Sequence, residues 1–193
     1  MVFKGDIRDF EPEKKYGVIL ADPPWQYTHG VPGHGDVKDH YFTMENNDLY
    51  QLPVNEWSIE NSLLILWATW PKLKVGIELI EKWGFVYKTG LPWVKMSTEN
   101  KLSFQYGIGY WVRGCSEPIL LATRGNVSPP KEKGFLGLLS PNLGHSRKPH
   151  SIYEIAEALP GPYLELFARR SREGWDSVGN ECIKDSLPLF DNG

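Results

Sequence analysis

A short apolar run that ends in an acid and two prolines constrains the fold of this chain most. The run Val18-Ile-Leu-Ala21 is followed directly by Asp22-Pro23-Pro24-Trp25. Such a run predicts a buried parallel strand, and the acid after it would emerge at the carboxyl edge of the sheet, where open α/β folds bind ligands. Two successive prolines fix φ and remove two backbone donors. We therefore expect a stiff loop whose carbonyl oxygens lack ladder partners.

The chemistry of this loop suits an exocyclic amine on a nucleobase. Asp22 and a free carbonyl supply two acceptors for an NH₂ group, and Trp25 supplies an aromatic face on which a planar ring can stack. A strand that simply ends in a proline turn would have the same four residues. Both interpretations stay open on this motif alone.

Short apolar runs alternate with helical patterns along the rest of the chain. Strands are predicted at 17–21, 62–69, 85–94, 117–123, 163–168 and 177–180. Gly90 and Pro92 are expected to break the third of these. A helix is predicted from Pro71 to Gly84, and a second from a capping box at 151–154 to about Leu159. Residues 53–60 are predicted to form a connector.

This alternation predicts one twisted, mostly parallel sheet with helices on both faces. Two long connections, 29–40 and 126–147, are rich in Gly, Pro, Ser, Asn and His. Loops of this length are uncommon in compact domains unless they are functional, and they often close over active sites. A chain of 193 residues is too short for two domains of ordinary size. We expect a catalytic domain over 1–182 and a loosely ordered tail over 183–193.

Composition excludes several classes of protein. The two cysteines, Cys115 and Cys182, lie far apart, which excludes a disulfide scaffold and a Cys-rich zinc site. No signal-peptide pattern is present, and no apolar run approaches the roughly 18 residues needed to cross a bilayer. The histidines at 29, 34 and 40 have no carboxylate at metal-site spacing, so no metal is predicted. We expect a soluble protein of the cytoplasm.

The charge distribution is uneven. The formal net charge is −3, yet residues 95–150 contain eight Lys or Arg against three Asp or Glu. A local basic stretch fits a face that contacts phosphates, although charge runs are commonly just solvated surface. The candidates for phosphate contacts are Lys131, Lys133, Arg124 and Arg147.

Seven stretches in a fixed order resemble the MT-A70 family of N6-adenine methyltransferases. They are GDIRDF at 5–10, VILADPPW at 18–25, LLILWATWPKL at 63–73, WGFVYKTGLPWVK at 83–95, GYWVRGCSEPILLATRGN at 109–126, HSRKPHSIYEIAEAL at 145–159 and YLELFARRSREGWDSVGNE at 163–181. The resemblance implies a single Rossmann-like methyltransferase domain in which the catalytic DPPW motif precedes the cofactor strand. It also implies methyl transfer from S-adenosylmethionine to the N6 amine of adenine in nucleic acid.

The resemblance assigns catalysis to Asp22, Pro23, Pro24 and Trp25. Asp22 would accept one hydrogen bond from N6 and the Pro23 carbonyl the other, which orients the nitrogen lone pair toward the sulfonium methyl. An aspartate is too weak a base to deprotonate an aryl amine, but it can take the proton once methylation has made the amine cationic.

The resemblance also implies the cofactor contacts. Asp6 and Ile7 would lie near the adenine ring of the cofactor, Lys148 would contact its carboxylate, and Asn180 and Glu181 would bind the ribose hydroxyls. Further cofactor residues by position are Asp22, Glu165 and Arg169. The family often has Pro-His-Asn where Arg170-Ser-Arg172 stand here, so contacts from that loop are not assigned.

Substrate contacts are expected from Trp25, Tyr27 and Glu117. A solvated glutamate at a strand edge is the alternative for Glu117. DNA is favoured over RNA as substrate because a compact catalytic domain resembles bacterial or phage enzymes, which implies a bacterial cell or a phage-infected host. A homodimer or a second subunit would supply substrate contacts that this chain lacks. The rival functions are a non-catalytic nucleic-acid-binding subunit and a small-molecule or protein-glutamine amino-methyltransferase.

Overall fold

The computed structural model describes residues 1–27, 42–98, 103–107, 111–130, 137–141 and 148–183. Eight strands in these ranges form one sheet. They are β1 (Val2–Phe3), β2 (Tyr16–Ala21), β3 (Ser58–Trp67), β4 (Val86–Met96), β5 (Ser116–Arg124), β6 (Leu138–Pro141), β7 (Tyr163–Leu166) and β8 (Trp175–Val178).

Four α-helices accompany the sheet in the described ranges. They are α1 (Asn46–Gln51), α2 (Val54–Trp57), α3 (Leu73–Lys82) and α4 (Ser151–Glu157). Short 3-10 turns form at Ile7–Asp9 and at Trp70–Lys72. Pro71 lies in the turn that leads into α3, and Gly84 follows that helix with a φ of 77°. The predicted start and end of this helix are thus confirmed.

The strands lie in the order β1-β8-β7-β2-β3-β5-β4-β6. Neighbouring strands are parallel except where β5 pairs antiparallel with β3 and with β4. The prediction of a twisted, mostly parallel Rossmann-like sheet is confirmed. Because β5 runs against its neighbours, its first residues meet the carboxyl ends of β2, β3 and β7. Its last residue, Arg124, pairs with Ser62 toward the opposite edge.

Helices cover both faces of the sheet, as predicted. Alternate side chains of β2 point to opposite faces: Ile19 packs in a core with α1, α2 and α3, whereas Val18 and Leu20 pack in a second core with α4. β2 is buried along its whole length, and β3 is buried and apolar over 63–67, as expected for central strands that are covered on both faces. The carboxyl edge of the sheet is thereby held rigidly from both sides.

Several elements differ from the sequence predictions. The predicted connector at 53–60 contains α2 and the start of β3, and α1, β1 and β6 were not predicted. Gly90 and Pro92 do not break β4. Pro92 lies opposite Pro118, and a Cβ at Gly90 would lie 2.8 Å from the Ile119 carbonyl oxygen, so the glycine permits close pairing with β5.

The predicted capping box at 151–154 is wrong. His150, in the right-handed helical region of φ and ψ, precedes α4, and it makes no side-chain cap. Helical hydrogen bonds already begin at the carbonyls of Pro149 and His150. Ser151 therefore lies inside the helix rather than at its cap.

Residues 184–193 lie outside the described residues, so the loosely ordered tail stays a prediction. In the part of the chain that is described, no helix has both the length and the apolar character needed to span a membrane.

Candidate active site

The acidic loop and the predicted cofactor strand lie side by side. β2 pairs with β7 so that Ala21 is opposite Leu166, and the Asp22 amide donates to the Leu166 carbonyl at 3.4 Å. Phe167, the residue after β7, has a φ of 63°. A non-glycine residue in this left-handed region is strained, and such strain is concentrated at functional sites. The paired strand ends Ala21 and Leu166, which are 145 residues apart in the chain, thus form one corner.

A cavity of about 230 Å³ opens at this corner. Its lining includes eleven of the sequence-predicted site residues, namely Ile7, Asp22, Pro23, Pro24, Trp25, Tyr27, Glu117, Lys148, Arg169, Asn180 and Glu181. The sequence prediction missed eight others, which are Phe42, Thr43, Met44, Ala68, Thr69, Phe167, Ala168 and Gly179. Most of the missed residues directly follow β3 or β7 or are neighbours of Asn180, so the carboxyl-edge rule could have found them.

Lys148 is the electrostatic centre of the cavity wall. Its Nζ lies 3.1 Å from Asp22 Oδ2 and 3.2 Å from Glu117 Oε2. Glu117 also pairs with Lys95 through its other oxygen. The Lys148 ammonium lies 4.9 Å from the ring centroid of Trp67, within cation–π range. Two acids and two bases therefore form one continuous, neutral network along the wall.

The network fixes the charge states of its central groups. Burial alone would lower the pKa of Lys148, but the charges of Asp22 and Glu117 outweigh it and raise that pKa above its ordinary value. Burial would likewise raise the pKa of Glu117, but Lys148 and Lys95 outweigh it and hold that pKa low. Lys148 is thus charged at neutral pH, and Glu117 is ionised.

The proline carbonyls are not as free as predicted. The Pro23 carbonyl accepts the Trp25 amide at 2.9 Å, and the Pro24 carbonyl accepts the Met44 amide at 3.0 Å. A carbonyl oxygen has two lone pairs, so each can accept one further hydrogen bond. The tight turn at Pro23 holds Trp25 in place and leaves the loop rigid.

Trp25 is a wall of the cavity and not an open stacking face. Only 7% of its surface is exposed, and it packs in the same core as Ile19 and Leu49. Its indole N–H is buried and finds no hydrogen-bond acceptor among the described residues. Such an unpaired donor beside a cavity is available to a bound ligand.

Tyr27 closes the side of the cavity next to β3. Its hydroxyl lies 2.6 Å from the Thr69 hydroxyl, and Lys72 Nζ lies 5.4 Å from its ring centroid. Burial raises the pKa of Tyr27, so this phenol stays neutral. Tyr27 can therefore donate a hydrogen bond or contact an aromatic ring, but it cannot act as a base.

Three predicted site residues lie away from the cavity lining. Asp6 caps the 3-10 turn at Ile7–Asp9 and pairs with Arg8. Arg124 lies toward the opposite edge of the sheet, where it donates to Ser58 Oγ at 2.9 Å. The direction of β5 explains this displacement, because Glu117 at the other end of the strand lies in the cavity.

Glu165 is the third of these residues, and it points to the α4 face of the sheet. It accepts a hydrogen bond from the Tyr153 hydroxyl at 2.9 Å. Burial raises its pKa to about 7. Its neighbours Leu164 and Leu166 face the other core, as the alternation of a strand requires.

The remaining predicted positions lie outside the described residues. These are the phosphate candidates Lys131, Lys133 and Arg147 and the three histidines at 29, 34 and 40. Within the described ranges no group of three or more His, Cys, Asp or Glu side chains is arranged to hold a metal ion.

Another part of the cavity lining suits a polar ligand with an apolar ring. Asn180 and Glu181, which follow β8, and the apolar Ile7 line the same cavity. A Cβ at Gly179 would come within 2.2 Å of the Ala168 carbonyl oxygen, so only glycine lets the segments after β7 and β8 approach this closely. Amide and carboxylate side chains of this kind bind hydroxyl groups.

The fold and the cavity together define an open α/β protein whose candidate ligand cavity lies at the carboxyl ends of two neighbouring central strands. The family model for MT-A70 matches residues 16–181, and the chain belongs to the MT-A70 family.

Relatives agree with this assignment. The chain is 32% identical to the type II methyltransferase M.MunI of Mycoplasma sp, over 94% of this chain and 84% of that protein. It is 30% identical to a putative N(6)-adenosine-methyltransferase MT-A70-like protein of Medicago truncatula, over 97% of this chain and 30% of that protein. It is 27% identical to the human N(6)-adenosine-methyltransferase catalytic subunit METTL3, over 92% of this chain and 30% of that protein. The chain thus spans under a third of the plant and human relatives.

Proposed function

We propose that this protein transfers a methyl group from S-adenosylmethionine to the N6 amine of adenine in nucleic acid. One observation carries the proposal. Asp22 of the DPPW motif and the Asn180–Glu181 pair line the same cavity, although they follow different strands and are far apart in sequence. An acceptor for the target amine and a polar pair for the ribose of the cofactor would then share one space.

The donor set fits this cofactor. Ile7 offers an apolar surface for an adenine ring, and Asn180 and Glu181 offer partners for two hydroxyls. S-adenosylmethionine supplies an electrophilic methyl group when it is bound. The positions of Asp6 and Glu165 outside the cavity lining remove them from the proposed contacts.

Asp22 is the proposed partner of the target amine. Lys148 engages its Oδ2 oxygen, so the other carboxylate oxygen is the candidate acceptor for N6. The Pro23 carbonyl retains one lone pair for the second amine hydrogen. Two fixed acceptors orient the nitrogen lone pair, and catalysis by positioning of this kind needs no strong base. After transfer, Asp22 takes the proton that the cationic amine releases.

Lys148 has a different proposed role from the one that sequence resemblance implied. It lies between two carboxylates and holds Asp22 in one place. Its charge also lets two acids stand close together in a half-buried wall. We propose that Lys148 acts mainly as a positioning residue for Asp22, with any contact to the carboxylate of the cofactor being secondary.

DNA is the favoured substrate. The proposal is supported by the share of each relative that aligns with this chain, which is 84% for the type II methyltransferase M.MunI but only 30% for METTL3. Lys131 and Lys133 stay the proposed phosphate contacts. Arg124 would contact only nucleic acid that reaches the opposite edge of the sheet. A homodimer or second subunit, and a bacterial or phage-infected cytoplasm, remain part of the proposal.

The proposal is tested by incubating the protein with methyl-labelled S-adenosylmethionine and with DNA, RNA or free adenosine in turn. Nucleoside mass spectrometry should then find labelled N6-methyladenine, most of it in DNA. Label in N6-methyladenosine from RNA alone would overturn the choice of substrate. Label in free small molecules or in protein side chains, with none in nucleic acid, would overturn the proposed function.

A further inference from the structure

A half-exposed tryptophan stands at the rim of the cavity and belongs to no core. Trp70 directly follows Thr69, which lines the cavity, and 52% of its surface is exposed. A single exposed apolar side chain is common, but an exposed aromatic ring next to a cavity residue offers a face on which a ligand base can stack. Because it is next to a cavity residue in the chain, Trp70 is a candidate for contact with a substrate that extends out of the cavity.

The ring of Trp70 is fixed in place. Its indole Nε1 donates to Ser116 Oγ at 3.1 Å. Ser116 precedes Glu117, another residue of the cavity wall. Both residues are thus next to a cavity residue in the chain: Trp70 begins the 3-10 turn that follows β3, and Ser116 begins β5, which pairs with β3. A ring held at one edge with its face in solvent is preorganised for stacking.

A cation lies close to this ring in sequence and to the cavity in space. Lys72 is in the same 3-10 turn as Trp70, and its Nζ lies 5.4 Å from the ring centroid of Tyr27, which lines the cavity. Burial lowers the pKa of Lys72. A half-buried ammonium with no carboxylate partner among the described residues gains from a bound anion.

We propose that Trp70 and Lys72 form a subsite for the nucleotide next to the target adenine. The base of that nucleotide stacks on Trp70, and its phosphate contacts Lys72. The inference rests on the proposed function and deepens it, because it defines the substrate as an unpaired strand. A neighbouring base can stack on a protein ring only when it has left its own duplex stack. Stacking on a flat ring tolerates every base, so the subsite gives little sequence specificity.

Binding of single-stranded oligonucleotides tests the subsite without depending on catalysis. Fluorescence anisotropy would compare an oligonucleotide that carries one adenine with versions in which the residue on either side of it lacks a base. The wild-type protein should lose roughly 5- to 150-fold in affinity when one particular neighbouring base is removed. Trp70→Ala should bind the intact oligonucleotide correspondingly more weakly and should no longer distinguish it from the version that lacks this base.

Matched variants separate stacking from general effects. Trp70→Phe keeps a ring and should recover most of the affinity, whereas Ser116→Ala frees the indole and should cost roughly 2- to 10-fold. Tyr87→Ala is the control, because it removes an exposed ring near the opposite edge of the sheet, where Tyr87 pairs with Ala122. It should leave the affinity unchanged.

Salt dependence tests the phosphate contact. Lys72→Gln should lower the slope of log affinity against log salt by about 0.7, the value for one contact to a single strand. Lys74→Gln is the control, since Lys74 is 89% exposed and pairs with Glu78 along α3. Its slope should equal that of the wild type.

The inference is overturned if Trp70→Ala still loses as much affinity as the wild type when the neighbouring base is removed from the oligonucleotide. It is overturned as well if Tyr87→Ala and Trp70→Ala weaken binding equally. It is also overturned if Trp70→Ala changes only the oligomeric state in sedimentation, which would assign the ring to a protein partner. Failure of the proposed function would look different, because wild-type protein would then give no N6-methyladenine on any oligonucleotide while this binding comparison stays measurable.

Discussion

Replacing Lys148 by Met tests the network that holds Asp22. The substitution keeps the length of the side chain and removes the only charge that joins Asp22 to Glu117 in the described structure. At an effective dielectric constant of about 20, two unit charges 3.1 Å apart attract by ~5 kcal/mol, and the cost of burying the ammonium cancels much of this.

The expected loss of stability depends on the interactions that Asp22 and Glu117 keep after Lys148 is replaced. Removing one partner of a buried pair typically costs about 3–5 kcal/mol. Lys95 still neutralises Glu117, and the Asp22 side chain is 32% exposed, so water compensates part of the loss. We therefore expect a decrease of about 2–3 kcal/mol in the free energy of unfolding at pH 7, measured by urea denaturation.

The pH dependence has a definite sign. Glu117 has a lowered pKa in the folded protein, so its stabilising contribution is present above its unfolded pKa and is lost as the pH falls through the folded value. Removal of Lys148 reduces that contribution. The difference between wild type and Lys148→Met should therefore be largest above about pH 5 and should shrink in more acidic solution.

The rate of methyl transfer by the folded Lys148→Met protein should fall by roughly 10²-fold, because Asp22 loses its fixed position. This decrease is separate from the loss of stability. Lys95→Met is the matched control: it removes the other cation beside Glu117 without touching Asp22. It should lower stability but keep most of the rate. If both variants lose the same fraction of activity, or if Lys148→Met unfolds at the wild-type urea concentration, the positioning role is wrong.

Three further predictions concern single side chains. Trp25→Ala should lower the free energy of unfolding by about 3–5 kcal/mol, since this ring packs in a core, and Trp25→Phe should restore much of it; an unchanged urea midpoint would contradict the packing. Asn180→Ala should weaken binding of S-adenosylmethionine roughly tenfold in calorimetry and leave folding intact; equal affinity would remove Asn180 from the site. Burial raises the pKa of Glu165 to about 7, above its unfolded value, so its ionisation destabilises the fold increasingly as pH rises from about 4.5 to 7. Glu165→Gln should remove that part of the pH dependence, and an identical pH profile of stability would contradict the raised pKa.

Local patterns predicted the parts of the fold that depend on local interactions. The apolar run before Asp22 predicted β2, and Pro71 and Gly84 predicted the ends of α3. β1 and β6 escaped prediction because they are short strands at the two edges of the sheet, where pairing with a single neighbouring strand, rather than their own sequence, stabilises them.

The candidate site was predicted as a set of residues but not as a set of contacts. Lys148 is 126 positions from Asp22, and only the pairing of strands brings the two together. Arg124 looked equivalent to other basic residues because a sequence does not reveal that β5 runs against its neighbours. Trp25 is buried because Met44, from a distant segment, pairs with it. Each of these facts arises from tertiary packing.

The most direct test of the central claim compares wild type with Asp22→Ala. Both proteins would be given methyl-labelled S-adenosylmethionine and single-stranded DNA, and the hydrolysed nucleosides would be analysed by mass spectrometry. The wild type should give labelled N6-methyladenine. Asp22→Ala should fold, bind the cofactor and lose at least roughly 10²-fold in rate, since a fixed contact to the reacting amine is gone. Label on another atom or no label at all with the wild type, or more than about a tenth of the wild-type rate with Asp22→Ala, would contradict the account.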